Sequence, residues 1–416
     1  MTEVPAFLFT TCQVGAEGAL KRELAKYRPT FRFAYSRPGF VTFKLPPDHR
    51  LKDDFDLKAI FARSYGFSLG KVDAGGDPAA AVEAVRGLAG DRRYDALHVW
   101  PRDKFAPGEH GYEVGLTDES RAVETALLGG ALGDVLAARD VRSTNVGELV
   151  LDVIVVEPNL WWVGYHRASH LAPRRPGGIF HDLELPYEAV SRAYLKMEEA
   201  LRWSQFPVRA GDYAVELGCA PGGSCQALLG RGLIVAGVDP AEMHPAVLDH
   251  PNFTYVRKRG AEVKKREFAG FRWLTADMNV APTYTLDTVE EIVTHPNVEI
   301  EGLLLTLKLL DWGQADAADE YRSRIQSWGY SKIAMRQLHH NRREFTVAAL
   351  RTGSAAGAAR KRKRRSVRIS PRGSTPREWE VLKCLVFGCC TVRGLVVPLS
   401  LALRSAQASS RSTMPE

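Results

Sequence analysis

Four ionisable side chains stand where such groups are uncommon. Lys308 interrupts the apolar run "GLLLTLKLL", Asp277 ends "FRWLTADM", Glu344 opens "REFTVAAL" and Lys196 lies in the helix-like "SRAYLKMEEAL". Two amines and two carboxylates brought together can hold one another's charge and move a proton. Alone, each has a plain reading. A helical lysine is usually a solvated face, and an acid after a strand is often a helix cap. Lys308 resists that reading most, because a lysine is rarely placed in an apolar strand.

A second feature lies upstream. In "VELGCAPGGSCQALL" (215–229) an acid, Glu216, ends a strand, glycines follow, and a helix begins. Glycine lets backbone approach a ligand closely, and open α/β sheets bind ligands at the carboxyl ends of their strands. The next strand, "LIVAGVD", ends in Asp239, placed to accept hydrogen bonds from ribose hydroxyls. The G-x-G-x-x-G pattern of dinucleotide sites is absent, and Pro221 stands where that turn would continue. A nucleoside with a charged amino-acid end fits better, and S-adenosylmethionine is such a cofactor. The plain alternative is an ordinary glycine turn. The candidate cofactor residues are Glu216, Gly218, Ala220, Pro221, Gly222, Gly223, Asp239 and Asp277. No metal-ligand cluster is evident in the spacing, and "HH" at 339–340 reads as structural or RNA-facing.

These residues need a frame. From about residue 183 to 350, helices alternate with the strands "YAVELGC", "LIVAGVD", "FRWLTADM", "GLLLTLKLL" and "REFTVAAL", starting from a helix over 188–203. That rhythm predicts an α/β fold with a doubly wound, mostly parallel sheet, Rossmann-like in type. Before it come "AFLFTTC", "EGALKRELAKY" and "GFVTFKL" (within 1–57), then a unit over 58–170. The latter contains "ALHVWPR", a helix-like "SRAVETALLGGALGDVLAA", "LVLDVIVV" and "LWWVGYHR". Strands mixed with helices suggest small α+β modules. The breakers in "ASHLAPRRPGGIFHD" (168–182) predict a linker.

The net charge of +7 is misleading for the folded part. Residues 351–416 hold 14 Lys and Arg against 3 Asp and Glu, so the other 350 residues carry a balance of −4. An RNA surface on the body must therefore be a local patch. The tail, with six consecutive basic residues from Arg360 to Arg365, reads as a solvated low-complexity arm able to bind phosphates. The apolar stretch 381–403 contains Lys383 and Arg393, and a central Arg costs at least ~2.5 kcal/mol in a bilayer, so no membrane span is expected. Six cysteines without zinc-finger spacing, and an N-terminus without a long apolar region, suggest a reducing, cytoplasmic location.

The motifs "ELGCAPGGS", "TLKL" and "SRAYLKMEEA", with Asp239 and Asp277, resemble the FtsJ-like RNA ribose 2′-O-methyltransferases that carry a Lys-Asp-Lys-Glu tetrad. Within that class the chain resembles the bacterial ribosomal large-subunit methyltransferase M group. "CQVGAEGALKREL" with "RPGFVTFKL" resembles that group's ferredoxin-like segment, and "LVLDVIVVEPNLWWVGYHRAS" the end of its THUMP domain. The resemblance covers about residues 6–350. It implies segments at 1–57 (ferredoxin-like), 58–170 (THUMP-like, RNA-binding), 171–350 (methyltransferase) and 351–416 (basic tail). It implies methylation of a cytidine 2′-hydroxyl in 23S rRNA, with Lys308 as proton acceptor aided by Lys196, Asp277 and Glu344, and no metal. Two positions depart from the family: Arg259 precedes Gly260 where an acid is common, and Ala193 replaces a small hydroxylated residue.

A ribose hydroxyl is a poor nucleophile near neutral pH, and a lysine can take its proton only if its pKa falls from ~10.4. Burial of Lys308 and the neighbouring Lys196 are expected to push it that way. The same reaction on another RNA, such as tRNA, and an inactive RNA-binding or assembly factor on the same fold remain open alternatives.

Overall fold

The computed structural model describes residues 5–129, 132–136, 144–169 and 174–351. The basic tail and the apolar stretch 381–403 lie outside the described residues. No helix among those described is long and apolar enough to cross a membrane.

The first half builds one sheet. In chain order it contains β1 (Phe7–Thr11), α1 (Glu17–Tyr27), β2 (Arg32–Arg37), β3 (Phe40–Lys44), β4 (Ser64–Asp73), α2 (Pro78–Ala89), β5 (Ala96–Pro101), α3 (Asp118–Leu128), β6 (Leu149–Glu157) and β7 (Leu160–Arg167). The strands run in the order β2-β3-β1-β4-β7-β6-β5. β1 pairs with both β3 and β4, so the 1–57 and 58–170 segments contribute to a single sheet. Local chemistry sets the helix ends. Asp77 accepts a hydrogen bond from Ala79 N with Pro78 at the first turn of α2, and Thr117 and Ser120 form a reciprocal capping box on α3. The helix expected to run through "SRAVETALLGGALGDVLAA" ends at Leu128, because Gly129 and Gly130 follow; residues 132–135 are turn and Leu136 forms a parallel bridge with Tyr94. β6 is buried at every position but its last.

The second half begins with α4 (Ala193–Ser204) and continues through β8 (Tyr213–Leu217), α5 (Gly223–Gly230), β9 (Ile234–Val238), α6 (Pro245–Leu248), β10 (Phe253–Val256), β11 (Trp273–Ala276), α7 (Pro282–Val293), β12 (Gly302–Lys308), α8 (Ala318–Ser327), β13 (Lys332–Arg336) and β14 (Glu344–Leu350). The sheet order is β10-β9-β8-β11-β12-β14-β13. The first five pair in parallel; β14 inserts antiparallel to both β12 and β13. The order reverses between β8 and β11, the switch point at which such sheets bind ligands. α4 starts five residues later than the expected 188.

The two halves pack directly. Gln337 N donates to Ile60 O at 2.9 Å, and the Phe61 ring meets Trp312 and Phe345 edge-on at 5.9 and 6.1 Å. Arg63, 2% exposed, pairs with Asp103 and donates to the carbonyls of Leu338 and His339 at 3.1 Å. The described part of the expected linker is packed, not free: Gly177 lies against the Trp100 ring, where a Cβ would come within 2.8 Å of it, and Ile179 is buried.

Candidate active site

The antiparallel insertion of β14 is what completes the site. It brings Glu344, its first residue, directly opposite Lys308, the last residue of β12. Asp277 follows β11 on the other side of β12, its backbone N bonded to Leu217 O at 3.1 Å. Lys196 comes from the first turn of α4. Its ammonium reaches Glu344 Oε1 at 2.6 Å and Asp277 Oδ2 at 3.3 Å. Lys308 Nζ lies 3.2 Å from the other oxygen, Asp277 Oδ1. All four expected residues are therefore one ion-paired cluster at the carboxyl edge of the sheet.

The two lysines are not equivalent. Burial opposes the charge of Lys196, but Asp277 and Glu344 outweigh it and hold its pKa above the ordinary lysine value. Burial likewise opposes ionisation of Asp277, and Lys196 with Lys308 outweighs it, so its pKa is below the usual carboxylate range. Lys196 is fixed as an ammonium between two carboxylates. Lys308 has one such partner and keeps 22% of its side-chain exposure. It ends its apolar strand, at the carboxyl edge where the topology predicted it.

The glycine loop lies at the switch point, beside Asp277. Gly218 (φ 77°) and Gly222 (φ 127°) occupy backbone conformations that side chains disfavour. Their tightness is internal. A Cβ on Gly218 would come within 2.8 Å of Met278 Cα, one on Gly222 within 2.6 Å of Val247, and one on Gly223 within 2.3 Å of Ser191 Oγ. The expected reason for these glycines, room for a ligand, is thus joined by a stronger one: the loop must pack into the protein. Asp239 accepts from Ala220 N at 3.2 Å and Ala241 N at 2.8 Å, tying the loop to the end of β9 while its carboxylate remains half-buried at the cleft. Pro221 is exposed, and α5 begins at Gly223 with no side-chain cap, leaving N–H groups of its first turn for an anion. A diol acceptor and an anion-binding helix start suit a nucleoside with an amino-acid end.

Glu216 sits beneath the loop, fully buried. Its pKa is pushed up to about 8 by burial, against the Thr275 hydroxyl that donates to it. It therefore supports the loop from below. Arg259 caps a short turn with Glu262.

Sequence reasoning missed the support behind Glu344. The buried Glu199 carboxylate accepts from His339 N and His340 N, both at 2.8 Å. Burial opposes its charge, but the bonds to His339 and the backbone prevail and lower its pKa to about 2. Arg342 N, further along this turn, donates to Glu344 Oε1 at 3.3 Å. His339 and His340 are buried and structural. The only signal was a second glutamate beside Glu198 on the inner face of α4.

Residues 189–318 match the family model for the FtsJ-like methyltransferase. This part of the chain is an FtsJ-like methyltransferase domain. The chain is also similar to proteins named ribosomal RNA large subunit methyltransferase M. One from Salmonella paratyphi C is 27% identical over 291 residues, spanning 63% of this chain and 78% of the relative; one from Salmonella gallinarum is 26% identical over the same shares. Among solved structures, a possible methylase from Clostridium difficile matches 84% of this chain and 99% of its own at 9% identity, TM-score 0.31. Aeropyrum pernix fibrillarin, solved with S-adenosyl-L-methionine, matches 48% and 81% at 14% identity, TM-score 0.30. The chain is an S-adenosylmethionine-dependent methyltransferase.

Proposed function

We propose that this chain methylates a ribose 2′-hydroxyl of large-subunit ribosomal RNA, a cytidine of the 23S molecule. The observation that carries this reading is the ion-paired Lys196–Asp277–Lys308–Glu344 cluster beside the glycine loop. S-adenosylmethionine supplies an electrophilic methyl group on a sulfonium. Asp239 would accept from its ribose hydroxyls, the start of α5 and the 218–223 backbone would hold its amino-acid end, and Asp277 would lie beside it. Lys308, in its neutral form, takes the proton of the 2′-hydroxyl, and the freed oxygen becomes the nucleophile. Lys196 stays charged and steadies the oxygen's developing negative charge, while Glu344 and Asp277 fix both amines. The reaction is read as metal-free, because proton transfer to Lys308 and methyl transfer from a sulfonium need no Lewis acid.

In this reading residues 1–57 and 58–170 are the ferredoxin-like and THUMP-like modules that dock RNA, 171–350 catalyse, and 351–416 form a phosphate-binding arm in the cytoplasm. The direct packing of Arg63 and Phe61 on the β12–β14 side supports it, since a rigid junction fixes the distance between docking and chemistry. The test is to map 2′-O-methyl groups in RNA from cells with and without this protein. Loss of one large-subunit ribosomal position is expected. Loss confined to tRNA, or no loss, would overturn the substrate.

A further inference from the structure

Three buried ligand-type side chains meet far from the tetrad's sequence. β5 and β6 are parallel and set His98 beside Asp152. β7 runs antiparallel to β6 with Gly164 beside Asp152, so His166, two residues on, projects from the same face. His166 Nδ1 lies 2.6 Å from Asp152 Oδ2, and His98 Nδ1 is 4.0 Å from Asp152 Oδ1. One donor atom from each residue lies within 4.8 Å of the other two.

The cluster is sealed: His98 and Asp152 are 0% exposed and His166 3%. It is also unbalanced. Among the described residues neither ring nitrogen of His98 nor Asp152 Oδ1 has a hydrogen-bonding partner. Buried polar groups are ordinarily satisfied, and each exception calls for an explanation. A hydrophobic sheet core also gains nothing from two histidines and an aspartate on one face unless something binds them together.

We propose that His98, Asp152 and His166 bind one zinc ion that ties β5, β6 and β7 together. Two imidazoles and a carboxylate are a zinc donor set, and zinc takes such ligands at ~2.0–2.2 Å, so its ligand atoms stand about 3.4 Å apart. To reach that spacing the 2.6 Å pair opens and the 4.0 Å pair closes, each by less than 1 Å. The ion would give His98 a nitrogen partner and Asp152 Oδ1 a charge. A fourth ligand is not supplied by these three. Sequence spacing hides the site: the ligands are 54 and 14 residues apart and meet only through strand register. The role is structural. β7 ends where the chain turns toward the methyltransferase domain, and Trp100, two residues from His98, holds Gly177 on that path.

The test is the metal content of the full chain, expressed in zinc-supplemented medium and purified without a metal-affinity tag. About one zinc per chain is expected in the wild type, falling at least tenfold in His98→Gln and Asp152→Asn. Wild-type protein without stoichiometric zinc would overturn the proposal, as would unchanged zinc in the variants. If the variants do not fold, anomalous scattering at the zinc edge from wild-type crystals decides. A peak between the three side chains supports the site, and its absence there refutes it.

Discussion

Lys308 and Glu344 are register partners across the antiparallel β12–β14 pair, and Lys196, from a helix, closes the space between Glu344 and Asp277. This reversed strand is why residues 36 positions apart share one proton-handling site. The parallel strands alone would bring only Asp277 and Lys308 together.

Gly222→Ala should shift the loop, weakening S-adenosylmethionine binding at least tenfold and lowering stability, while the chain still folds. The added carbon meets Val247 at 2.6 Å, in a backbone conformation with φ 127°. Titration calorimetry, with circular dichroism as the fold control, checks it. Normal affinity would mean the loop does not form the cofactor cradle.

Glu216→Gln should stabilise the protein increasingly as pH rises. The folded carboxyl has a pKa of about 8 against an ordinary 4.5, so the folded state holds a proton that the unfolded chain releases. That contribution is complete below pH 4.5 and lost as pH rises to about 8, at roughly 1.4 kcal/mol per pH unit. Glutamine has no such dependence. Thermal melts of both proteins from pH 5 to 9 should show their difference growing to about pH 8 and then levelling; a constant difference contradicts it.

Arg63→Ala should destabilise the chain by about 3–5 kcal/mol, because it strands a largely buried Asp103 and two carbonyls of the 338–339 turn. The turn also positions Glu344, so turnover should fall more than cofactor affinity. Denaturant unfolding and steady-state kinetics read the two effects.

Much of this was legible from residue patterns. Four of the five parallel strands, β8, β9, β11 and β12, announce themselves as apolar runs with an acid or lysine at or beside their ends, and Asp277, Lys308 and the loop follow from those ends; β10 was not among the expected strands. Three things were not legible. The antiparallel placement of β14 depends on packing, since "REFTVAAL" reads the same in either direction. The single sheet shared by residues 7–167 depends on β1 pairing with β4, 57 positions away. The roles of Arg63 and Glu199 exist only through carbonyls and amides of a distant turn, which leave no trace in side-chain type. Lys308 reads both as interrupting an apolar run and as standing at a strand's carboxyl end; β12 ends at Lys308, as the second reading has it.

The central claim is that Lys308 takes the proton of an RNA hydroxyl. The direct measurement is methyl transfer from labelled S-adenosylmethionine to ribosomal RNA by wild type and Lys308→Ala, with cofactor affinity measured on the same samples. A loss of at least ~10²-fold in transfer, with affinity within a few-fold of wild type, is predicted. Near-normal transfer by Lys308→Ala would contradict the account.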